Sequence, residues 1–127
     1  MSTYQPQLPP IQMASYRQTA RKRWQAEQQK RRARQANAWQ LAHQAAVLLK
    51  EQFGVSRVAA FGSLVYPGHF TLWSDVDLAA WGLTAVNWLR ASAAVRALSD
   101  EVELNLVDTN CCSLELLDTI QREGVDL

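Results

Sequence analysis

The spacing of apolar residues along the chain changes from a helical to a strand-like period at Gly54. From about Ala14 to Phe53 the chain has no Gly or Pro and is rich in Ala, Gln, Arg and Lys, a composition that favours helix. An apolar helical stripe is present only in the second half, at Trp39, Ala42, Ala46, Leu49 and Phe53. Residues 25–37 have only alanines as apolar positions, so this part is predicted to be an exposed or frayed helix.

Beyond Gly54 the pattern predicts short strands that alternate with helices. The predicted elements are, in order, a strand at 57–61, a loop or short irregular helix at 64–74, a strand at 75–81, a helix at 84–98, a strand at 102–107, a helix capped by Ser113 and ended by Gly124, and a short edge strand at 125–127. In the second strand Asp75 and Asp77 share one face, because successive side chains of a strand point to opposite sides. This order predicts an α/β (α+β) fold, in which helices flank a small mixed sheet.

The formal charge of the chain is +1, but the charges are distributed unevenly. Residues 1–50 carry nine Lys and Arg and one acid, whereas residues 51–127 carry four Lys and Arg and eleven Asp and Glu. The predicted parts are a flexible tail at 1–13, a basic helical arm at 14–37 and a globular domain at 38–127. The cations at 17–34 suit binding to nucleic acid, binding to an acidic partner, docking on the chain's own domain, or a solvated helix face.

Composition excludes several classes of protein. With 48% hydrophobic and 20% charged residues a packed core is expected. No run of about 18 apolar residues occurs, so no membrane span is predicted, and the N-terminus lacks the basic and apolar segments of a secretory signal. Cys111 and Cys112 are adjacent, a spacing that suits neither a disulfide framework nor a zinc site. We therefore expect a cytoplasmic protein with reduced cysteines and no membrane contact.

The residues that carry chemistry lie at the end of the first predicted strand and the start of the second. Gly62 and Ser63 follow the first strand, and eleven residues separate Ser63 from Asp75. A glycine permits close backbone approach, and a serine offers a hydroxyl to a phosphate. Two carboxylates on one strand face repel each other, and a divalent cation is their natural partner. Together these features predict phosphoryl or nucleotidyl transfer.

The same residues resemble the minimal nucleotidyltransferases of the DNA polymerase β superfamily, which are often antitoxins paired with a HEPN-domain ribonuclease toxin. The resemblance covers about residues 38–127 and rests on FGS at 61–63, SDVDLA at 74–79 and LNLVD at 104–108. It implies that Ser63 binds the triphosphate of an NTP beside Gly62, and that Asp75 and Asp77 bind Mg²⁺ or Mn²⁺. The implied reaction transfers NMP, AMP if the substrate is ATP, to a hydroxyl and releases pyrophosphate. In the antitoxin branch the acceptor is a tyrosine of the toxin.

The chain departs from the family pattern on the third strand. The third carboxylate of the family falls at Asn105, whose amide offers a neutral oxygen and cannot act as a base. Glu103 shares the strand face of Asn105 and is the candidate substitute, whereas alternation turns Asp108 to the other face. The segment between Ser63 and Asp75 is also one residue longer than is usual in the family, and its first half lacks arginine.

Three hypotheses follow. The first is a metal-dependent nucleotidyltransferase that modifies a HEPN-type toxin, with Asp75, Asp77 and Glu103 as catalytic residues. The second is a catalytically degenerate antitoxin with the same fold, which neutralises a toxin by contact alone because Asn105 replaces a ligand. The third is a regulator that binds nucleic acid through its basic arm, with an affinity that falls steeply with salt.

Overall fold

A computed structural model describes residues 9–127 of the chain. Helix α1 runs from Pro10 to Phe53 and contains the boundary between the predicted arm and domain, at residues 37 and 38. It begins within the predicted 1–13 tail, of which residues 1–8 lie outside the described part. Proline suits the first helical turn, because its missing N–H would have no partner there. The helix ends at Gly54, which adopts a left-handed conformation with φ 66° and donates its N–H to the Leu49 carbonyl.

The remaining elements form a four-stranded mixed sheet with two further helices. The strands are β1 (Arg57–Phe61), β2 (Val76–Trp81), β3 (Leu104–Asp108) and β4 (Val125–Asp126), and the helices are α2 (Ala85–Arg96) and α3 (Leu114–Glu123). The strand order is β3-β2-β1-β4. Strands β2 and β3 are parallel and joined through α2, whereas β1 pairs antiparallel with β2 and β4. The predicted α+β fold with a small mixed sheet is therefore confirmed.

Helices α2 and α3 begin beside their predicted starts, whereas α1 begins at Pro10 rather than about residue 14 and α2 ends at Arg96 rather than residue 98. Thr84 and Asn87 form a reciprocal capping box at the start of α2, in which each side chain accepts an N–H of the other residue's backbone. The predicted cap of α3 is confirmed, because the Ser113 hydroxyl accepts the Leu116 N–H. Three strands differ slightly from their predicted bounds: β2 begins at Val76 rather than residue 75, β3 covers Leu104–Asp108 rather than 102–107, and β4 covers Val125–Asp126 rather than 125–127.

The two faces of the sheet have different surroundings. The apolar even-numbered residues of β2 and β3, such as Leu78 and Leu104, are buried in the main core, to which α1 and α2 contribute Ala42 and Val95. On the opposite face, α3 contributes Ile120 to a smaller apolar cluster around the C-terminal half of β2. Asp77, near the start of β2, is on this second face and is half-buried.

The first half of α1 extends beyond the domain. Its buried residues begin only at Ala38, and nearly all residues from 10 to 30 are exposed. Over residues 9–127, none of the helices has the length and apolar character needed to cross a membrane.

Candidate functional site

The Gly62–Ser63 turn and Asp77 are brought together by the pairing of β1 and β2. Phe61, the last residue of β1, is the register partner of Asp77. The chain then enters a short 3-10 turn at Gly62 with φ 76°, a left-handed conformation that favours glycine. A Cβ atom at Gly62 would lie only 2.8 Å from Asp77 Oδ2. Two features therefore require glycine at this position: the left-handed backbone conformation and the close approach of the Asp77 carboxylate.

Asp75 lies one residue before β2, at the end of a loop that is tied to distant parts of the chain. The Ser74 hydroxyl accepts the Thr71 N–H at 2.9 Å. Arg34 of α1 donates to the Ser74 carbonyl at 3.0 Å and to the Glu101 carbonyl at 3.1 Å. One guanidinium therefore joins α1 both to the residue before Asp75 and to the segment that leads into β3.

A chain of polar contacts continues from Asp77 across β3. Asn105 is the register partner of Asp77 and donates its side-chain N–H to Asp77 Oδ1 at 3.3 Å. Arg96, in the last turn of α2, donates to Asn105 Oδ1 at 3.1 Å. Its Nη2 atom also lies 3.1 Å from Glu103 Oε1. Arg96 thus contacts both residues of the predicted Glu103–Asn105 face, and the Asn105 oxygen is already an acceptor for it.

Asp108 lies away from this group. It pairs with Ala80, three residues along β2 from Asp77, and is only 7% exposed. Its carboxylate accepts the Asn110 N–H at 2.9 Å. With Trp88 and Cys111 it lines an open, mainly apolar cavity of about 410 Å³ at the other end of β3. The prediction that alternation separates Asp108 from Asn105 is therefore confirmed.

The surroundings of Asp77 disfavour its negative charge. Burial raises the pKa of Asp77 above its ordinary value, the hydrogen bond from Asn105 lowers it, and the charges of Asp75 and Glu103 raise it further. A cation bound between the carboxylates would remove this penalty. Mg²⁺ is commonly held by one or two carboxylates together with substrate phosphates, and the carboxylates of Asp75 and Asp77 are ligands of this chemical type. Among residues 9–127 no three His, Cys, Asp or Glu side chains form a metal-binding group.

Sequence reasoning missed two arginines of this region. Arg34 was counted with the basic arm, although its four-residue spacing from Ala38 and Ala42 places it on the helix side that becomes buried. Its guanidinium also lies 5.9 Å from the centroid of the Phe70 ring. Arg96 has no such signal, because only the packing of α2 against β3 brings it to Asn105.

Comparison with known proteins identifies the fold. No family model and no curated protein matches the sequence. Among solved structures, the chain is similar to three crystal structures of the toxin–antitoxin pair MntA–HepT, of which MntA is a minimal nucleotidyltransferase and HepT a HEPN toxin.

The similarity to these structures is one of fold. A variant with a Tyr-to-Ala substitution gives 21% identity over 67% of this chain and 69% of the other, with a TM-score of 0.56. A variant with Asp-to-Glu substitutions two residues apart gives 17% identity over 67% and 70%, also at 0.56. The structure without a stated substitution gives 17% identity over 69% of each chain, at 0.53. The chain therefore has a minimal nucleotidyltransferase-like fold, as the resemblance implied.

Proposed function

We propose that this protein is an antitoxin-like nucleotidyltransferase that transfers NMP, AMP when ATP is the substrate, to a hydroxyl of a HEPN-type toxin partner. The observation that carries this proposal is the juxtaposition of the Gly62–Ser63 turn with Asp77. A second carboxylate, Asp75, lies two residues earlier, and its charge acts on Asp77. The MntA–HepT structures support it in two ways. They contain a toxin–antitoxin pair, and one of them carries substitutions at two aspartates with the same two-residue spacing.

Each residue of the site has a role in this proposal. Gly62 lets the backbone approach the triphosphate, and the Ser63 hydroxyl donates to a phosphate oxygen. Asp75 and Asp77 would hold Mg²⁺ or Mn²⁺, which supplies positive charge to stabilise the charge that develops on the phosphates. The acceptor oxygen forms a bond to the α-phosphorus, the bond to the bridging oxygen breaks, and pyrophosphate leaves with that electron pair.

The proton of the acceptor hydroxyl has no strong base in this site. Asn105 carries no proton-accepting carboxylate, and Glu103, the candidate substitute, is paired with Arg96. General-base assistance contributes roughly 10²–10⁴-fold to a rate. The proposed transfer is therefore slow in the wild-type chain, and Glu103 is expected to carry what base assistance exists.

The proposal is tested by incubating the protein with α-labelled ATP, Mg²⁺ and a HEPN-type partner, while pyrophosphate release and labelling of the partner are measured. We expect slow labelling that requires the metal and that is lost in the double variant Asp75→Asn/Asp77→Asn. Asp100→Asn, at an exposed position, is the control that leaves labelling unchanged. Labelling that persists in the double variant, or no labelling of the partner, would refute catalysis at this site.

A second candidate function, an antitoxin that acts by binding alone, is favoured by the contacts of Arg96. The guanidinium contacts Asn105 Oδ1 and Glu103 Oε1, so a cation of the chain itself already lies beside the residues that would complete the metal centre. In that case the Asp75→Asn/Asp77→Asn variant would still suppress the ribonuclease activity of the partner. The nucleotidyltransferase proposal requires that suppression to depend on ATP and on both aspartates.

A further inference from the structure

The segment of α1 from residue 17 to 32, here called the basic segment, is mostly exposed, although at its C-terminal end Lys30 lines a cavity together with Leu72 and Glu101. It carries seven cations and one acid, Glu27, and all of its residues except Gln28 and Arg31 are exposed. The cations are Arg17, Arg21, Lys22, Arg23, Lys30, Arg31 and Arg32. None of them forms an ion pair with any residue in 9–127. The segment is a rod roughly 24 Å long, at 1.5 Å per residue.

The cations surround the helix rather than lining one side. Successive residues of an α-helix point about 100° apart, so the consecutive triplet 21–23 covers about 200° of the circumference, and the triplet 30–32 does the same. The two triplets are nine residues apart, or roughly 14 Å along the axis. A flat acidic protein surface would contact only one side of such a rod and would leave the other cations in water.

One side of the segment carries only arginine and glutamine. Gln18, Arg21, Gln25, Gln28 and Arg32 follow one another at intervals of three and four residues, which places them along a single helix face. Arg can donate two hydrogen bonds to guanine, and Gln can pair with adenine through both atoms of its amide. This face is therefore chemically suited to the edges of base pairs.

We propose that the basic segment binds duplex DNA by lying in the major groove. An α-helix with its side chains is about 10–12 Å across and the groove is about 12 Å wide, so phosphates flank the helix on both sides. The triplet at 21–23, with the exposed Lys30 and Arg32, meets those phosphates on either side, whereas Arg31 is half-buried; the Arg and Gln face meets the base pairs. This function is independent of the proposed nucleotidyl transfer, because the site around Asp77 contains no residue of the basic segment.

The proposal is tested with the full chain and a fluorescently labelled 24-base-pair DNA duplex, by anisotropy at several salt concentrations. The test variant is Arg21→Gln/Lys22→Gln/Arg23→Gln, in which exposed residues are exchanged within a helix. We expect at least tenfold weaker binding at 100 mM salt. The slope of log affinity against log salt should become shallower by about 0.9 for each phosphate that the variant no longer neutralises.

A control variant with the same change in net charge distinguishes DNA binding by the basic segment from a general effect of the protein's charge. Arg90→Glu/Gln121→Glu lowers the charge by three at exposed positions on α2 and α3. The control is expected to retain most of the affinity, and circular dichroism checks that both variants keep their helix content. An equal loss of binding in the control would overturn the proposal.

Alternative ligands give distinguishable results. The major groove of duplex RNA is deep and narrow, so we expect weaker binding to an RNA duplex of the same sequence. Equal or tighter RNA binding, or equal binding to polyglutamate, would contradict the groove geometry.

The acidic half of the chain makes a second copy of the protein another possible partner of the basic segment, and light scattering detects such a dimer. Dimerisation that the triple variant abolishes would also overturn the proposal, as would no DNA binding at 50 mM salt.

Discussion

Asp77 is the residue at which the demands of stability and of the proposed chemistry conflict. It is partly buried, it is opposite Asn105, and the charges of Asp75 and Glu103 act on it. Folding therefore disfavours its ionised form, although a metal ligand must be ionised. Two residue-level predictions follow from this environment.

The first concerns the pH dependence of stability. The pKa of Asp77 is raised in the folded protein. Proton binding at Asp77 therefore stabilises the folded state, and this stabilisation is fully present below the ordinary aspartate pKa of about 3.9. It is lost as pH rises through the higher pKa of the folded protein. Asp77→Asn removes the disfavoured charge and should raise Tm at pH 7. The gain should diminish as pH falls towards 4.

Asp100→Asn serves as the control for an exposed carboxylate, and its Tm should follow that of the wild type over the same range of pH. Thermal unfolding monitored by circular dichroism measures both variants. A Tm of Asp77→Asn that is equal to or below the wild-type value at pH 7 would contradict the environment described for this carboxylate.

The second prediction uses two glycines with the same backbone conformation. Gly62 and Gly68 both have φ 76°, but a Cβ atom would meet Asp77 Oδ2 at 2.8 Å in the first and nothing within 4 Å in the second. Left-handed strain costs an alanine roughly 1–2 kcal/mol at either position. Gly62→Ala should in addition displace the Asp77 carboxylate and weaken Mg²⁺ binding measured by calorimetry, whereas Gly68→Ala should lower stability alone. Equal metal binding in the two variants would count against the site.

At the scale of elements, apolar spacing was sufficient to predict most of the fold. The helical period before Gly54, the alternation after Asp75 and the cap at Ser113 are local properties of the sequence, and the elements that they predict are present. The family resemblance marks Asn105 as the position of a third carboxylate, and the structure pairs this residue with Asp77. Contacts between elements that are distant in sequence were not predictable, because long polar side chains reach partners that only the tertiary packing defines.

The hydrogen bonds of Arg34 are the clearest example of such contacts, and they lead to a prediction about the role of α1 in stability. Its guanidinium donates to the Ser74 and Glu101 carbonyls, and hydrogen bonds from charged groups contribute about 1.5–3 kcal/mol when they are well formed. Arg34→Gln should therefore lower the free energy of unfolding by about 1–3 kcal/mol and increase proteolysis in the 66–75 loop. Arg32→Gln removes the same charge at an exposed position and should change stability by less than about 0.5 kcal/mol.

Urea unfolding measures the stability of both variants, and limited proteolysis reports on the loop. If Arg34→Gln and Arg32→Gln have the same stability and the same cleavage pattern, then α1 does not hold the segment that precedes Asp75.

At the scale of the whole molecule, the positively charged surface and the carboxylate site lie in different parts of the chain. The basic segment of α1 extends beyond the domain with no ion pair among the described residues, and the carboxylate site lies on the face of the sheet opposite the main core. Arg34 lies between the two and belongs to the domain, although the sequence places it within a run of cations. The charge asymmetry of the sequence thus corresponds to two surfaces of different charge, although Arg34, one of the cations, contacts the domain.

The most direct test of the central proposal, nucleotidyl transfer at Asp75 and Asp77, is a gain of activity in the labelling assay. Asn105→Asp supplies the carboxylate that the site lacks, next to Asp77 and within reach of Arg96. We predict an increase of at least tenfold in the rate of AMP transfer, since general-base assistance is worth roughly 10²–10⁴-fold, and a loss of residual transfer in Glu103→Gln. No gain in Asn105→Asp and no loss in Glu103→Gln would contradict catalysis here and would favour an antitoxin that acts by binding alone.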